Sequence, residues 1–205
     1  MNLQQFEEEQ LEATRKVVVK DDFKKLEAIA GCYTAFSGKK IVAAIVVCTK
    51  DGKIIEEQFA VMESPMPYIS GFRFFRESPA IASAFAKLKK TPDVMIVSAN
   101  GILHPLRVGM ASHLGILLKI PTIGVAKSLL CGQAEEEGKI YFNNEIRGQE
   151  LITREHSKPL YVSAGHRVSL ETAVALVKEL TKYPHKLPEP LHLAQRLANK
   201  MRKGR

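Results

Sequence analysis

Two short apolar runs, Val94-Met95-Ile96-Val97 and Thr122-Ile123-Gly124-Val125-Ala126, show no alternation of polar and apolar residues. A strand with one wet face alternates, because successive side chains point to opposite sides. One that is apolar throughout is covered on both. These runs therefore demand a sheet with helices on each face. A helix-length apolar stretch, Val108–Leu118, lies between them as a crossover needs.

Ahead of them stand three β-rich segments in hairpin order. Ala28–Ala35 and Ile41–Cys48 are separated by the turn Ser37-Gly38-Lys39-Lys40, and Asp51-Gly52 leads into a third, roughly Lys53–Met62. Phe6, Leu11 and Val17 among charges predict an amphipathic first helix. Ser78-Pro79 predicts a helix start, since Ser caps well and Pro suits the first helical position. Ile81, Phe85 and Leu88 then share its inner face. Further on, Glu135–Asn144 predicts an exposed hairpin, Pro159–Ser163 a short strand, Ser169 to about Thr181 a helix, and Pro188 with Pro190 the start of the last helix. After the meander, helices are expected to alternate with parallel strands. The order is α/β: a ribonuclease H-like fold, a central mixed β-sheet flanked by helices, in one domain spanning 1–205.

No apolar run reaches the roughly 18–20 residues that a bilayer crossing requires. The first ten residues are acidic and polar, unlike a secretory signal. Cys32, Cys48 and Cys131 are far apart and read as reduced, in a cytoplasmic or nucleoid protein without a membrane partner. The 30 Lys and Arg against 22 Asp and Glu give a charge of +8, which suits a partner bearing phosphates. Arg196, Lys200, Arg202, Lys203 and Arg205 concentrate part of it in a basic C-terminal tail, about 196–205, or on a solvated helix end.

The motifs are more specific. Pro67-Tyr68-Ile69, Gly71-Phe72, Phe75-Arg76-Glu77, His104-Pro105, Ala111-Ser112-His113-Leu114-Gly115, the run Pro121–Ser128, Val162–Arg167 and Leu187-Pro188-Glu189-Pro190 together resemble endonuclease V from Ile29 to Ala198. The resemblance implies magnesium as cofactor. It also implies cleavage of a strand beside a deaminated base such as hypoxanthine, in DNA or, for some members, RNA. Two-metal phosphodiester cleavage needs clustered carboxylates, because only anionic oxygens hold hard cations well.

At two of the three carboxylate positions that the resemblance implies, this chain has Tyr33 and Ser98; Glu77 fills the third. A phenol and a hydroxyl bring no charge to offset the dehydration of a divalent ion. Glu77 alone is therefore expected to hold magnesium feebly. Asp51, on a turn, and Asp93, before a strand, are not placed to substitute. Other departures cluster nearby: Ser70 for a proline, Ala99 for a glycine whose added Cβ would crowd a base, Leu106 for an arginine with Arg107 following, His192 for an arginine and Gln195 for a histidine.

The candidate catalytic residues are Glu77, Lys127 and His104, with Glu77 the metal ligand. Candidate nucleic-acid contacts are Tyr68, Ile69, Ser70, Gly71, Gly101, Arg107, Lys127, His166 and Arg167. Each also has a structural reading. Tyr68 either wedges where a base is extruded or anchors its loop on the core. Glu77 is either a lone ligand or a favourable charge at the start of the helix opening at Ser78. Lys127 touches a phosphate or packs its stem, and His104 donates to a phosphate or braces a turn. His166 braces its loop, leaving Arg167 as the phosphate contact, and His113 reads as a satisfied core histidine. Three functions follow. One is a nucleic-acid-binding relative that has lost efficient cleavage, taking DNA or RNA that is single-stranded or carries a deaminated base. The others are a working endonuclease and a scaffold binding a protein partner.

Overall fold

The computed structural model describes residues 3–204. Helix α1 (Leu3–Lys16) precedes the meander β1 (Ile29–Ser37), β2 (Lys40–Cys48) and β3 (Ile54–Glu63). Then come α2 (Arg73–Phe85), β4 (Val94–Val97), α3 (Met110–Leu118) and β5 (Thr122–Ala126). The second half holds β6 (Gln133–Ala134), β7 (Lys139–Phe142), β8 (Glu145–Leu151), β9 (Leu160–His166), α4 (Leu170–Leu180) and α5 (Glu189–Arg202). All the strands join one mixed sheet in the order β3-β2-β1-β4-β5-β9-β8-β7-β6. No described helix is long and apolar enough to cross a membrane.

The unbroken apolar run of β4 is explained by its two coverings. Met95 and Val97 pack with Ile81 and Leu114 under α2 and α3, whereas Val94 and Ile96 pack with Leu176, Leu180 and Leu191 under α4 and α5. Burying each such side chain fully is worth about 1.5–3 kcal/mol, so the pairing of layers is strongly fixed. The last helix sits directly on β1 at Gly31, where a Cβ would lie 2.0 Å from the Pro190 carbonyl oxygen. That close approach aligns Gln195, Asn199 and Arg202 along the far end of β1.

The structure departs from the sequence expectations at four places. Helix α2 begins at Arg73, a turn and a half before Ser78, and continues through Pro79. Pro79 removes one backbone donor. The rings upstream compensate: Phe75 stacks on Phe6 at 4.1 Å and Phe74 on His113 at 3.6 Å, holding the first turn. Strand β9 runs antiparallel to β5, so parallel pairing is confined to β1, β4 and β5. The expected 135–144 hairpin is shifted. It spans 133–142 as β6 and β7, and a second hairpin turns at Asn143-Asn144, both with positive φ as a tight hairpin requires, joining β7 to the charge-rich β8. Residues 196–202 belong to α5 rather than to a tail; Arg205 lies outside the described residues.

Candidate nucleic-acid interface

Beyond Cys32 and Val97 the parallel pairing of β1 and β4 ends, with the Ser98 amide donating to the Cys32 carbonyl at 3.0 Å. This brings Tyr33 and Ser98 to one edge of the sheet, where the resemblance implies a metal site. Alternation sends Thr34 to the α2 side and Tyr33 to the α5 side. Thr34 Oγ1 donates to Glu77 Oε2 at 2.5 Å, and Gln195 Nε2 donates to Tyr33 Oη at 3.2 Å.

Glu77 is 1% exposed, and both of its oxygens are engaged by a guanidinium. Arg73, one helical turn earlier, donates from Nε to Oε1 at 2.9 Å and from Nη2 to Oε2 at 3.0 Å. Its Nη1 reaches the Ser98 carbonyl at 3.4 Å. Burial opposes the charge of Arg73, but the hydrogen bonds and charge of Glu77 outweigh it and hold the guanidinium above its ordinary pKa. Cys32, close by, adds no anion, because burial pushes its thiol up to about 12.

The cleft over these residues, about 370 Å³, is lined by Arg73, Lys127 and Arg202 together with Tyr33, Ser98, Asn100, Ser128 and Asn199. Among the described residues no carboxylate lines it. The Lys127 ammonium lies 5.3 Å from the Tyr33 ring centroid, within cation–π range. A divalent magnesium does not fit this donor set. Its one acid is saturated by Arg73, and among the described residues no three His, Cys, Asp or Glu side chains gather as a metal-holding group. Asp93 is committed elsewhere, accepting from the Glu27 and Ala28 amides, and Asp51 accepts from Thr49 on its turn.

A second, smaller pocket opens beside the cleft and shares Arg73, Asn100 and Ser128 with it. Tyr68, Ser70, Gly71, Phe74, His104, Met110 and Leu130 contribute most of its remaining wall. Tyr68 is 59% exposed, so its ring projects from the loop instead of anchoring it. Met66 performs the anchoring, buried behind the loop together with half-buried Ile69. Helix α1 clamps this loop and the segment after β4: Gln10, itself buried, donates to the Gly71 carbonyl at 2.7 Å, and Thr14 donates to the Leu106 carbonyl at 2.6 Å.

His104 is buried in this pocket with its pKa lowered, chiefly by burial; the Gly71 backbone carbonyl works against that shift and Arg147 adds to it. Its Nδ1 accepts from the Leu106 amide at 3.3 Å, which assigns the proton of the neutral ring to Nε2. The Asn100 Oδ1 is buried without a hydrogen-bond partner among the described residues, and the His104 Nε2 lies near the Gly71 carbonyl without forming a well-aligned hydrogen bond. Unsatisfied buried polar atoms are costly, so such a pair suits a ligand with donors and acceptors of its own. Ala99 borders the pocket while packing in the core between α2 and α3.

The structure separates four expected contacts from this site. Because β9 is antiparallel to β5, His166 lies opposite Thr122, while Lys127 follows Ala126 at the other end. His166 Nδ1 accepts from the Val18 amide, and Arg167 pairs with Asp22 at 3.4 Å. Arg107 is tied to Glu145 at 2.8 Å and lines neither pocket. Gly101 serves packing: a Cβ there would lie 2.0 Å from the Ala164 carbonyl oxygen. Two structural readings also change. Glu77 sits in the second turn of α2 instead of at its positive end. His113 is a core residue, but its Nδ1 has no partner among the described residues.

Sequence reasoning missed Arg73, Thr34, Gln10 and Asn199. Arg73 and Glu77 stand at the i, i+4 spacing of a helical ion pair, a readable signal once the helix begins early enough.

Comparison with known proteins agrees with this geometry. The endonuclease V family model matches residues 11–196. The endonuclease V of Dictyoglomus turgidum is 40% identical over 201 residues, covering 94% of this chain and 87% of its own. That of Rippkaea orientalis is 42% identical over 196 residues, covering 90% and 85%. Among solved structures, endonuclease V from Streptomyces avermitilis superposes with a TM-score of 0.91 at 30% identity, covering 99% of this chain and 94% of that one. Endonuclease V of Ciona intestinalis, bound to a 23mer DNA containing an inosine, gives a TM-score of 0.88 at 29% identity, covering 98% and 97%. With the family model matched over most of the chain and relatives about 40% identical over nearly all of it, this protein belongs to the endonuclease V family.

Proposed function

We propose that this protein holds nucleic acid without efficient metal-dependent cleavage. Its target is DNA or RNA, single-stranded or carrying a deaminated base such as hypoxanthine. The observation that carries this reading is the bidentate Arg73–Glu77 pair, which commits the carboxylate buried beneath the cleft to an internal cation. Tyr68 stacks against an unpaired base, the pocket around Asn100 and His104 receives it, and Lys127 contacts the backbone. The inosine-containing DNA bound by the Ciona relative supports the choice of ligand. Buried, unpaired Cys32 and Cys48 are consistent with a reducing compartment such as the cytoplasm.

The test is an inosine-containing strand incubated with magnesium or manganese while binding is followed across a salt series. Binding should weaken steeply with salt, since neutralising phosphates releases counterions, and the strand should stay intact. Robust turnover that disappears in Glu77→Ala would instead establish a working endonuclease. No affinity for oligonucleotides at low salt, with stable capture of another protein, would establish a scaffold.

A further inference from the structure

The cleft contains more positive charge than neutralising Glu77 requires. Arg73 contributes two donors to Glu77 and turns Nη1 toward the Ser98 carbonyl at 3.4 Å. Lys127 and Arg202 reach the same cleft from the end of β5 and the end of α5, and neither has an ion-pair partner among the described residues. Ser98, Ser128, Asn199 and the Tyr33 hydroxyl add neutral hydrogen-bonding groups around them. A divalent ion between carboxylates attracts a phosphate by presenting net positive charge at a surface otherwise negative. Here a guanidinium already fills that role, and planar guanidinium donors match phosphate oxygens well.

We propose that the cleft is a metal-independent phosphate seat: Arg73 is its resident cation, and Arg73, Lys127 and Arg202 together take a phosphodiester group directly. This rests on the nucleic-acid reading above for the source of the phosphate. Glu77 then restrains Arg73 instead of binding metal, fixing the guanidinium at the cleft floor while reducing its net charge.

The test uses the full-length protein and a short fluorescent single strand, with binding read by anisotropy across salt, in EDTA and in excess magnesium. The wild-type affinity should be the same within about twofold in both. Glu77→Gln, which removes the opposing charge and keeps the side-chain shape, should bind severalfold tighter. The double variant Arg73→Gln/Glu77→Gln, which leaves no lone buried charge, should bind about tenfold weaker, with the salt slope reduced by about one unit for the lost phosphate contact. If the double variant does not fold, as judged by circular dichroism, Lys127→Ala and Arg202→Ala replace it. Each substitutes an exposed side chain and should lose affinity severalfold with a shallower slope.

Binding that requires a divalent ion, or variants with unchanged affinity and slope, would overturn the seat. Failure of the underlying reading looks different: no strand is bound at any salt. Phosphorus NMR of inorganic phosphate then decides the seat by itself. Broadening in the wild type but not in the double or lysine variant keeps the seat and drops the nucleic acid, whereas no broadening in any of them sinks both.

Discussion

The cleft and the pocket beside it share Arg73, Asn100 and Ser128, yet they are built for different parts of a ligand. The cleft gathers three cations and no lining carboxylate. The pocket is walled by Tyr68, Phe74, Met110 and Leu130, with His104 Nε2 and Asn100 Oδ1 as its unpartnered polar atoms. The first suits a charged backbone and the second a flat, partly polar base. On the function proposed above, binding and cutting are separable within one fold. On that reading, Tyr33 and Ser98, where the resemblance implies carboxylates, leave the cleft positive while the Tyr68 loop stays exposed.

The largest expected effect comes from the cation that the cleft and the pocket share. Arg73→Leu leaves Glu77 buried without its partner, a change that costs about 3–5 kcal/mol. Urea denaturation should show that loss growing toward neutral pH, where an unpartnered carboxylate carries its charge. A loss below about 1 kcal/mol would mean that the pair is only a surface contact.

A smaller effect distinguishes the pocket wall. Burial pushes His113, stacked on Phe74, down from 6.5 to about 4. The unfolded chain therefore takes up a proton that the folded protein refuses. Stability is present above the unfolded value and is lost as pH falls from 6.5 toward 4. The loss is roughly 3 kcal/mol across the window. His113→Gln should flatten the pH dependence measured by denaturation, and an unchanged slope would show that this histidine does not set it.

The smallest effect sharpens the comparison from the ligand side. Tyr68→Ala removes an exposed ring, so stability should stay within about 0.5 kcal/mol. Strand binding should weaken by about 1–3 kcal/mol if a base stacks there. Loss of stability with unchanged binding would return Tyr68 to an anchoring role.

The strands were legible where physical chemistry is local. Unbroken apolar runs marked β4 and β5, and β-rich runs with turn residues between them marked β1 and β2. Strand β8 was not legible, because Glu145, Arg147, Gln149 and Glu150 carry no β signal and the strand exists by pairing with β7 and β9. The direction of β9 was equally hidden, and with it the displacement of His166 and Arg167 from the cleft. The site was legible as missing charges at Tyr33 and Ser98. Its replacement cation was not, because Ser78-Pro79 looked like a helix start and left Arg73 in an apparent loop. Packing of Phe74 and Phe75 overrode that local signal.

Manganese soaked into crystals of the protein and located by anomalous scattering would reveal whether Glu77 holds a divalent ion. The account predicts no peak beside Glu77 in the wild type at millimolar manganese, with Arg73 still bidentate on the carboxylate. In Tyr33→Asp/Ser98→Asp alone, Arg73 should still obstruct the ion; adding Arg73→Leu should produce the peak. A well-occupied wild-type site within ligand distance of Glu77, with the Arg73 guanidinium swung aside, would contradict the account.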